Sequence, residues 1–191
     1  MSIVFKNVSK SFNGRSVFSS LDQVFEDGKH YVITGPSGSG KTTLLRLAAG
    51  LILPDEGTVT RGEDDTFSMV FQEDRLIGHL TAFDNIRLGC RGVKDEVIFR
   101  SMEDLLPEED TDKPVRELSE GQRRRVAVLR ACLYPGKVLI MDEPLSGLDE
   151  NNARNVIEYI EAYVRGKTLI VSSHDLRFKE FCEEIRIPLS Q

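Results

Sequence analysis

The segment Gly35-Pro36-Ser37-Gly38-Ser39-Gly40-Lys41-Thr42 restricts the fold of this 191-residue chain more than any other feature. It fits the pattern G-x-x-x-x-G-K-[S/T], a loop that cradles phosphate when a strand delivers it and a helix leaves it. Both flanks are predicted here. Residues 30–34 form a short apolar strand, and residues 42–49 have helical character that stops at Gly50. Glycines let successive N–H groups converge on phosphate oxygens, and the following helix adds a positive dipole end. Lys41 brings a full charge for β- and γ-phosphates, and the Thr42 hydroxyl suits a Mg²⁺ shell. The expected binding set of the loop is Gly35, Pro36, Ser37, Gly38, Ser39, Gly40, Lys41, Thr42 and the adjacent Thr43.

A second constraint is the apolar run 138–141, which ends in Asp142 and Glu143. A buried strand ending in acids puts carboxylates at the C-terminal sheet edge, where α/β proteins bind ligands. Two acids at a strand end are by themselves ordinary solvated loop residues. Beside a phosphate loop they take separate tasks: Asp142 holds Mg²⁺ through its water shell, and Glu143 polarises the water that attacks the γ-phosphate.

The order of the remaining signals sets the architecture. Residues 3–8 and 17–25 read as strands joined through an Asn13-Gly14 turn, which implies an antiparallel pair. Residues 58–60 and 67–71 read as further strands, followed by helix from 81 to about 106 and again from 119 to 133. Thr81-x-x-Asp84 and Ser119-x-x-Gln122 have capping-box spacing at the two helix starts. The continuous apolar runs 138–141 and 168–171 suit parallel strands covered on both faces, and Ala153, Val156, Ile157, Ile160 and Val164 form the core stripe of a helix between them. The expected fold is α/β: a P-loop NTPase core with a parallel sheet, a small N-terminal antiparallel β layer and an inserted helical lobe. One domain is expected over 1–191, with the core and β layer at about 1–74 and 135–191 and the helical subdomain at about 75–134.

Composition removes several alternatives. A net charge of −6 offers no general attraction to nucleic acid, so no nucleic-acid partner is expected. No window reaches the roughly 18 apolar residues of a membrane span, and the start lacks the pattern of a secretory signal. Cys90, Cys132 and Cys182, odd in number and far apart, read as structural thiols. The run Arg123-Arg124-Arg125 reads as a solvated helix face with one member turned to an interface, because successive helical residues point about 100° apart.

Leu118-Ser119-Glu120-Gly121-Gln122 resembles the signature segment of ABC ATPases, usually L-S-G-G-Q. The other family marks follow in order. Gln72 resembles the glutamine loop residue, which touches Mg²⁺ or the attacking water. Ser146-Gly147-Leu148-Asp149 resembles the D-loop that crosses the dimer interface, His174 the switch histidine on the γ-phosphate, and Phe12 the aromatic that stacks on adenine. The resemblance runs from Ile3 to about Ile187. It implies ATP and Mg²⁺ as ligands, Glu143, His174 and Gln72 as catalytic residues, and Thr42, Gln72 and Asp142 around the metal. It also implies Ser119, Gly121, Gln122 and Asp149 contacting nucleotide across a homodimer, or a heterodimer with a second cassette.

The sequence departs from the family pattern in three places. Glu120 replaces the first signature glycine and adds negative charge near a phosphate site, which implies lower ATP affinity. The short interval from Gln72 to Leu118 implies a trimmed helical lobe, and with the sequence ending soon after His174 no regulatory C-terminal domain is expected. The stretch from Phe71 to Thr81 resembles importers of small solutes, so Leu76, Ile77 and Leu80 are expected in the groove that meets the membrane subunits. The resemblance thus implies an ATPase, cytoplasmic and peripheral to the inner membrane face, that drives solute transport through separate integral membrane subunits. A soluble ABC ATPase coupled to a non-transport process is the alternative, and a non-hydrolysing switch is opposed by Glu143.

Overall fold

A computed structural model describes residues 2–63 and 66–188. β1 (Ile3–Phe12) and β2 (Arg15–Phe25) form the antiparallel hairpin expected from Asn13-Gly14. Both turn residues have positive φ, 49° and 78°, which gives the hairpin a twist that matches its strands. β4 (Glu56–Thr60) pairs with the other edge of β1, giving a three-stranded sheet in the order β2-β1-β4.

The second sheet has five parallel strands in the order β5-β6-β7-β3-β8. These are β3 (His30–Thr34), β5 (Phe67–Val70), β6 (Val138–Asp142), β7 (Thr168–Ser172) and β8 (Glu183–Arg186). The unbroken apolar runs of β6 and β7 follow from cover on both faces. Val138 and Ile140 pack with Leu44, Leu45 and Leu47 of α1 (Lys41–Ala48), together with Phe5 and Phe25 of the antiparallel sheet. Leu139 and Met141 face the opposite core, which holds Val128 and Leu129 of α4 (Glu120–Leu133) and Val156 and Ile160 of α5 (Glu150–Tyr163). Burying each such side chain stabilises the fold by about 1.5–3 kcal/mol.

α2 (Ala82–Gly89) and α3 (Asp95–Leu105) pack on α4 and make the helical lobe. The sequence predicted one helix across this stretch, but the chain breaks at residues 90–94. Gly92 adopts φ 89°, which ends helical propagation, and Cys90 caps α2. β8 was also not predicted. Its sequence Glu-Glu-Ile-Arg has little apolar content, and it forms a strand because the edge of β3 supplies a parallel partner.

The arginine run corrects another expectation. Arg124 and Arg125 are 4% and 7% exposed, so the run turns largely inward, where backbone carbonyls, Asp74 and Asn152 receive the guanidinium groups. The cysteines are free thiols, all buried. Burial pushes Cys90 up to about 11 and Cys132 and Cys182 each to about 12.

Candidate functional site

β3 delivers the chain into the loop at Gly35, and α1 begins at Lys41. Gly40, between them, has φ 96°, and a Cβ there would stand 2.5 Å from Val17 Cγ1 and 2.9 Å from Phe18 Cζ. Only glycine fits under β2 at this point. No side chain caps α1, so its first-turn N–H groups are left for an anion. Lys41 is 9% exposed, and its ammonium donates to Gly35 O at 2.8 Å and Pro36 O at 3.2 Å, which curls the loop around the charge.

Asp142 closes β6 and is 3% exposed. Its two oxygens accept from two different elements: Oδ2 from Thr42 Oγ1 at 2.7 Å and Oδ1 from Ser172 Oγ at 2.6 Å. Glu143 follows with φ 49°, a left-handed conformation that costs a non-glycine residue about 1–3 kcal/mol. Its N–H is directed at Ser172 O and Ser172 Oγ, both 3.1 Å away, so the end of β7 pins the turn. The turn brings Glu143 Oε1 to 3.4 Å from His174 Nε2. Burial raises the Glu143 carboxyl above its ordinary value, against the pull of His174 and Lys41. The result is a carboxylate more basic than a solvated one.

These groups line one cavity of about 350 Å³, shared by Val17, Ser37, Gly38, Gly40, Lys41, Thr42, Thr43, Gln72, Asp142, Glu143 and His174. Ten of the positions expected from the sequence therefore meet in one cleft, and Val17, which no motif marks, joins them. A larger cavity, about 510 Å³, lies between β2 and residues 185–188 and contains neither Lys41 nor the paired acids. Ser39 does not line the cleft that holds Lys41. It is 1% exposed, and its hydroxyl has no hydrogen-bond partner among the described residues. Phe12 ends β1 as an exposed residue (46%), with Lys10 Nζ over its ring at 5.3 Å from the centroid.

The signature residues lie outside this cleft. Ser119 is the N-cap of α4 and accepts from Gln122 N at 3.3 Å, while Gln122 Oε1 accepts from Ser119 N at 2.6 Å. The capping box read from the sequence is complete. Gln122 also donates to Asp110, so its amide is held within its own chain. A Cβ on Gly121 would stand 3.1 Å from Gly147 O, and one on Gly147 would stand 3.2 Å from Glu120 Oε1. The start of α4 thus packs on the segment leading to Asp149, the N-cap of α5, which accepts from Asn152 N at 2.9 Å. Leu80 lines a groove with Asp84, Arg87, Leu88 and Arg91, and Ile77 is exposed, whereas Leu76 packs against the core.

Sequence reasoning missed Ser172, Asp110 and the buried role of Arg124. Ser172 pairs with Asp142 only because β7 lies beside β6 in register. No local pattern marks such a hydroxyl.

A parallel sheet in which the loop strand β3 and the acid strand β6 flank β7, with a helical lobe ending in a capped α4, is the ABC cassette architecture. The dimeric structure of MJ0796, a bacterial ABC transporter cassette, matches with a TM-score of 0.86 at 27% identity, over 97% of this chain and 94% of that one. A post-hydrolysis dimer of MJ0796 bound to ADP and Pi matches at 0.85 and 26% identity, over 100% and 97%. The sequence pattern of the ABC transporter family matches residues 18–146, more than half of the chain. The chain belongs to the ABC transporter family.

Among its relatives is a spermidine/putrescine import ATP-binding protein of Marinobacter nauticus, 37% identical over 186 residues, 88% of this chain and 50% of the relative. Another is an Fe(3+) ions import ATP-binding protein of Photobacterium profundum, 39% identical over 173 residues, 83% of this chain and 49% of the relative. The chain spans about half the length of the curated relatives it matches.

Proposed function

We propose that this chain binds and hydrolyses ATP to drive import of a solute through separate membrane subunits, with two cassettes closing on nucleotide. The observation that carries the proposal is the convergence of Lys41, Asp142, Glu143 and His174 on one cleft above the first turn of α1. The names of the relatives support the import role. Among the described residues no helix is long and apolar enough to cross a membrane. The groove at Leu80 and the exposed Ile77 supply a candidate surface for a membrane subunit, on the cytoplasmic side where ATP is available.

The donor set fits Mg²⁺. Thr42 Oγ1 and Asp142 Oδ2 stand 2.7 Å apart, hard oxygens beside the phosphate loop, and Gln72 shares the cleft. Mg²⁺ takes few protein ligands and completes its shell with phosphate and water oxygens. When bound, it neutralises charge on the transferred phosphoryl group. The residues of the chain then divide the work. Lys41 and the α1 N-terminus hold the phosphates, and Phe12 offers its ring to the base. Glu143 accepts a hydrogen bond from the attacking water and takes its proton, with His174 and Gln72 orienting the γ-phosphate and that water. Ser119 and Gly121 at the start of α4 close on the nucleotide of the second cassette, with Gln122 stiffening the cap and Asp149 holding the adjoining loop.

The test is steady-state turnover. Glu143→Gln should leave ATP binding intact and reduce kcat by about 10²–10⁴. Unchanged turnover would remove the assigned base, and equal ATP affinity in Lys41→Ala would contradict the loop assignment.

A further inference from the structure

Gln72 sits on an irregular segment between β5 and the helical lobe, and it is exposed. The backbone around it is held from one side by the buried face of α4. Arg124 donates through Nη1 to Phe71 O at 2.7 Å and through Nη2 to Gln72 O, and its Nε lies 3.4 Å from Asp74 Oδ1. Two turns on, Arg130 donates to Asp74 O at 3.2 Å and Arg75 O at 3.0 Å. Four of the five carbonyls from Phe71 to Arg75 therefore end on two arginines of one helix. From the other side, the Arg75 guanidinium carbon lies 3.7 Å over the Phe71 ring.

A guanidinium at 4% exposure needs both hydrogen bonds and a counter-charge, and this one has them from the segment that carries Gln72. We infer that Arg124 is a positioning residue for Gln72: its fork fixes the backbone from which the Gln72 side chain reaches the cleft, so that whatever moves α4 moves Gln72. The inference rests on the reading of Gln72 as a residue that orients the attacking water. Charge alone does not meet the requirement. Two adjacent carbonyls match the planar fork of arginine, and a lysine ammonium on a flexible stem cannot hold both in the same geometry.

The experiment is a double-mutant comparison of ATP turnover in the full chain, with Arg124→Lys, Gln72→Ala and the pair. Arg124→Lys should lower kcat by about 10-fold or more while KM for ATP changes by less than about twofold, because only the water-orienting geometry is lost. In the Gln72→Ala background the same substitution should cost nothing further. Wild-type kcat in Arg124→Lys, or an equal loss in both backgrounds, overturns the positioning role and leaves the assignment of Gln72 standing. Wild-type kcat in Gln72→Ala overturns the assignment itself and this inference with it. Should Arg124→Lys fail to fold, Asp74→Asn carries the same comparison, since it removes the counter-charge behind the fork and leaves the carbonyls in place.

Discussion

Thr42 Oγ1 donates to Asp142 Oδ2 across 2.7 Å, tying the first turn of α1 to the last residue of β6. The other oxygen of Asp142 is held by Ser172 at 2.6 Å, so this carboxylate joins three elements before any ligand is considered. Ser172 is fully buried, and Ser172→Ala would strip Asp142 Oδ1 of its donor. We expect a loss of about 1–3 kcal/mol in urea unfolding, the usual cost of a buried acceptor left unsatisfied. Ser172→Thr should lose less, because it keeps the hydroxyl.

Glu143 gives the chain a pH dependence whose sign follows from burial. Burial raises its carboxyl above the ordinary glutamate value, so the folded protein holds that proton more tightly than the unfolded chain. The stabilising contribution is complete below the unfolded value and is lost as pH rises through the folded one. Glu143→Gln, which cannot ionise, should therefore melt higher than wild type near neutral pH and by a smaller margin at pH 4. Thermal melts across that range check it. The same upward shift should move the acid limb of the kcat profile above that of an ordinary glutamate.

Glu120 stands in the first turn of α4 with its carboxylate against Gly147. Removing this charge from a surface meant for phosphate should tighten ATP by about two- to fivefold, the range for a screened surface charge. Glycine also weakens the helix by roughly 0.5–1 kcal/mol, so Glu120→Gly should gain affinity while losing melting temperature. Nucleotide titration together with thermal denaturation separates the two effects.

The three thiols should be inert in the folded state. Values of about 11 to 12 leave almost no thiolate at pH 8. Alkylation by iodoacetamide should proceed only after denaturant is added, and rapid labelling of native protein at Cys90, Cys132 or Cys182 would contradict the buried placement.

Much of the site was legible because its motifs are local. The loop from Gly35 to Thr42, the acids after β6 and the Ser119–Gln122 box each depend on neighbours within a few residues, where backbone rules act directly. The parallel core was legible for a related reason, since only strands covered on both faces read as unbroken apolar runs. What escaped depends on tertiary neighbours. β8 is a strand only because β3 offers an edge, and Ser172 supports Asp142 only through the register of β6 and β7. Arg124 looked solvated because its partners, the carbonyls of Phe71 and Gln72, are 53 and 52 residues away and carry no side-chain signature. The helix break at 90–94 needed the positive φ of Gly92, which a periodicity that continues on both sides conceals.

The central claim is that the cleft of one chain is completed by the capped start of α4 from a second. Sedimentation of Glu143→Gln with and without Mg·ATP tests it most directly. The account predicts a shift from one copy to two on adding nucleotide, abolished by a further Ser119→Arg. Tight ATP binding with no change in mass, or pairing indifferent to Ser119, would contradict it.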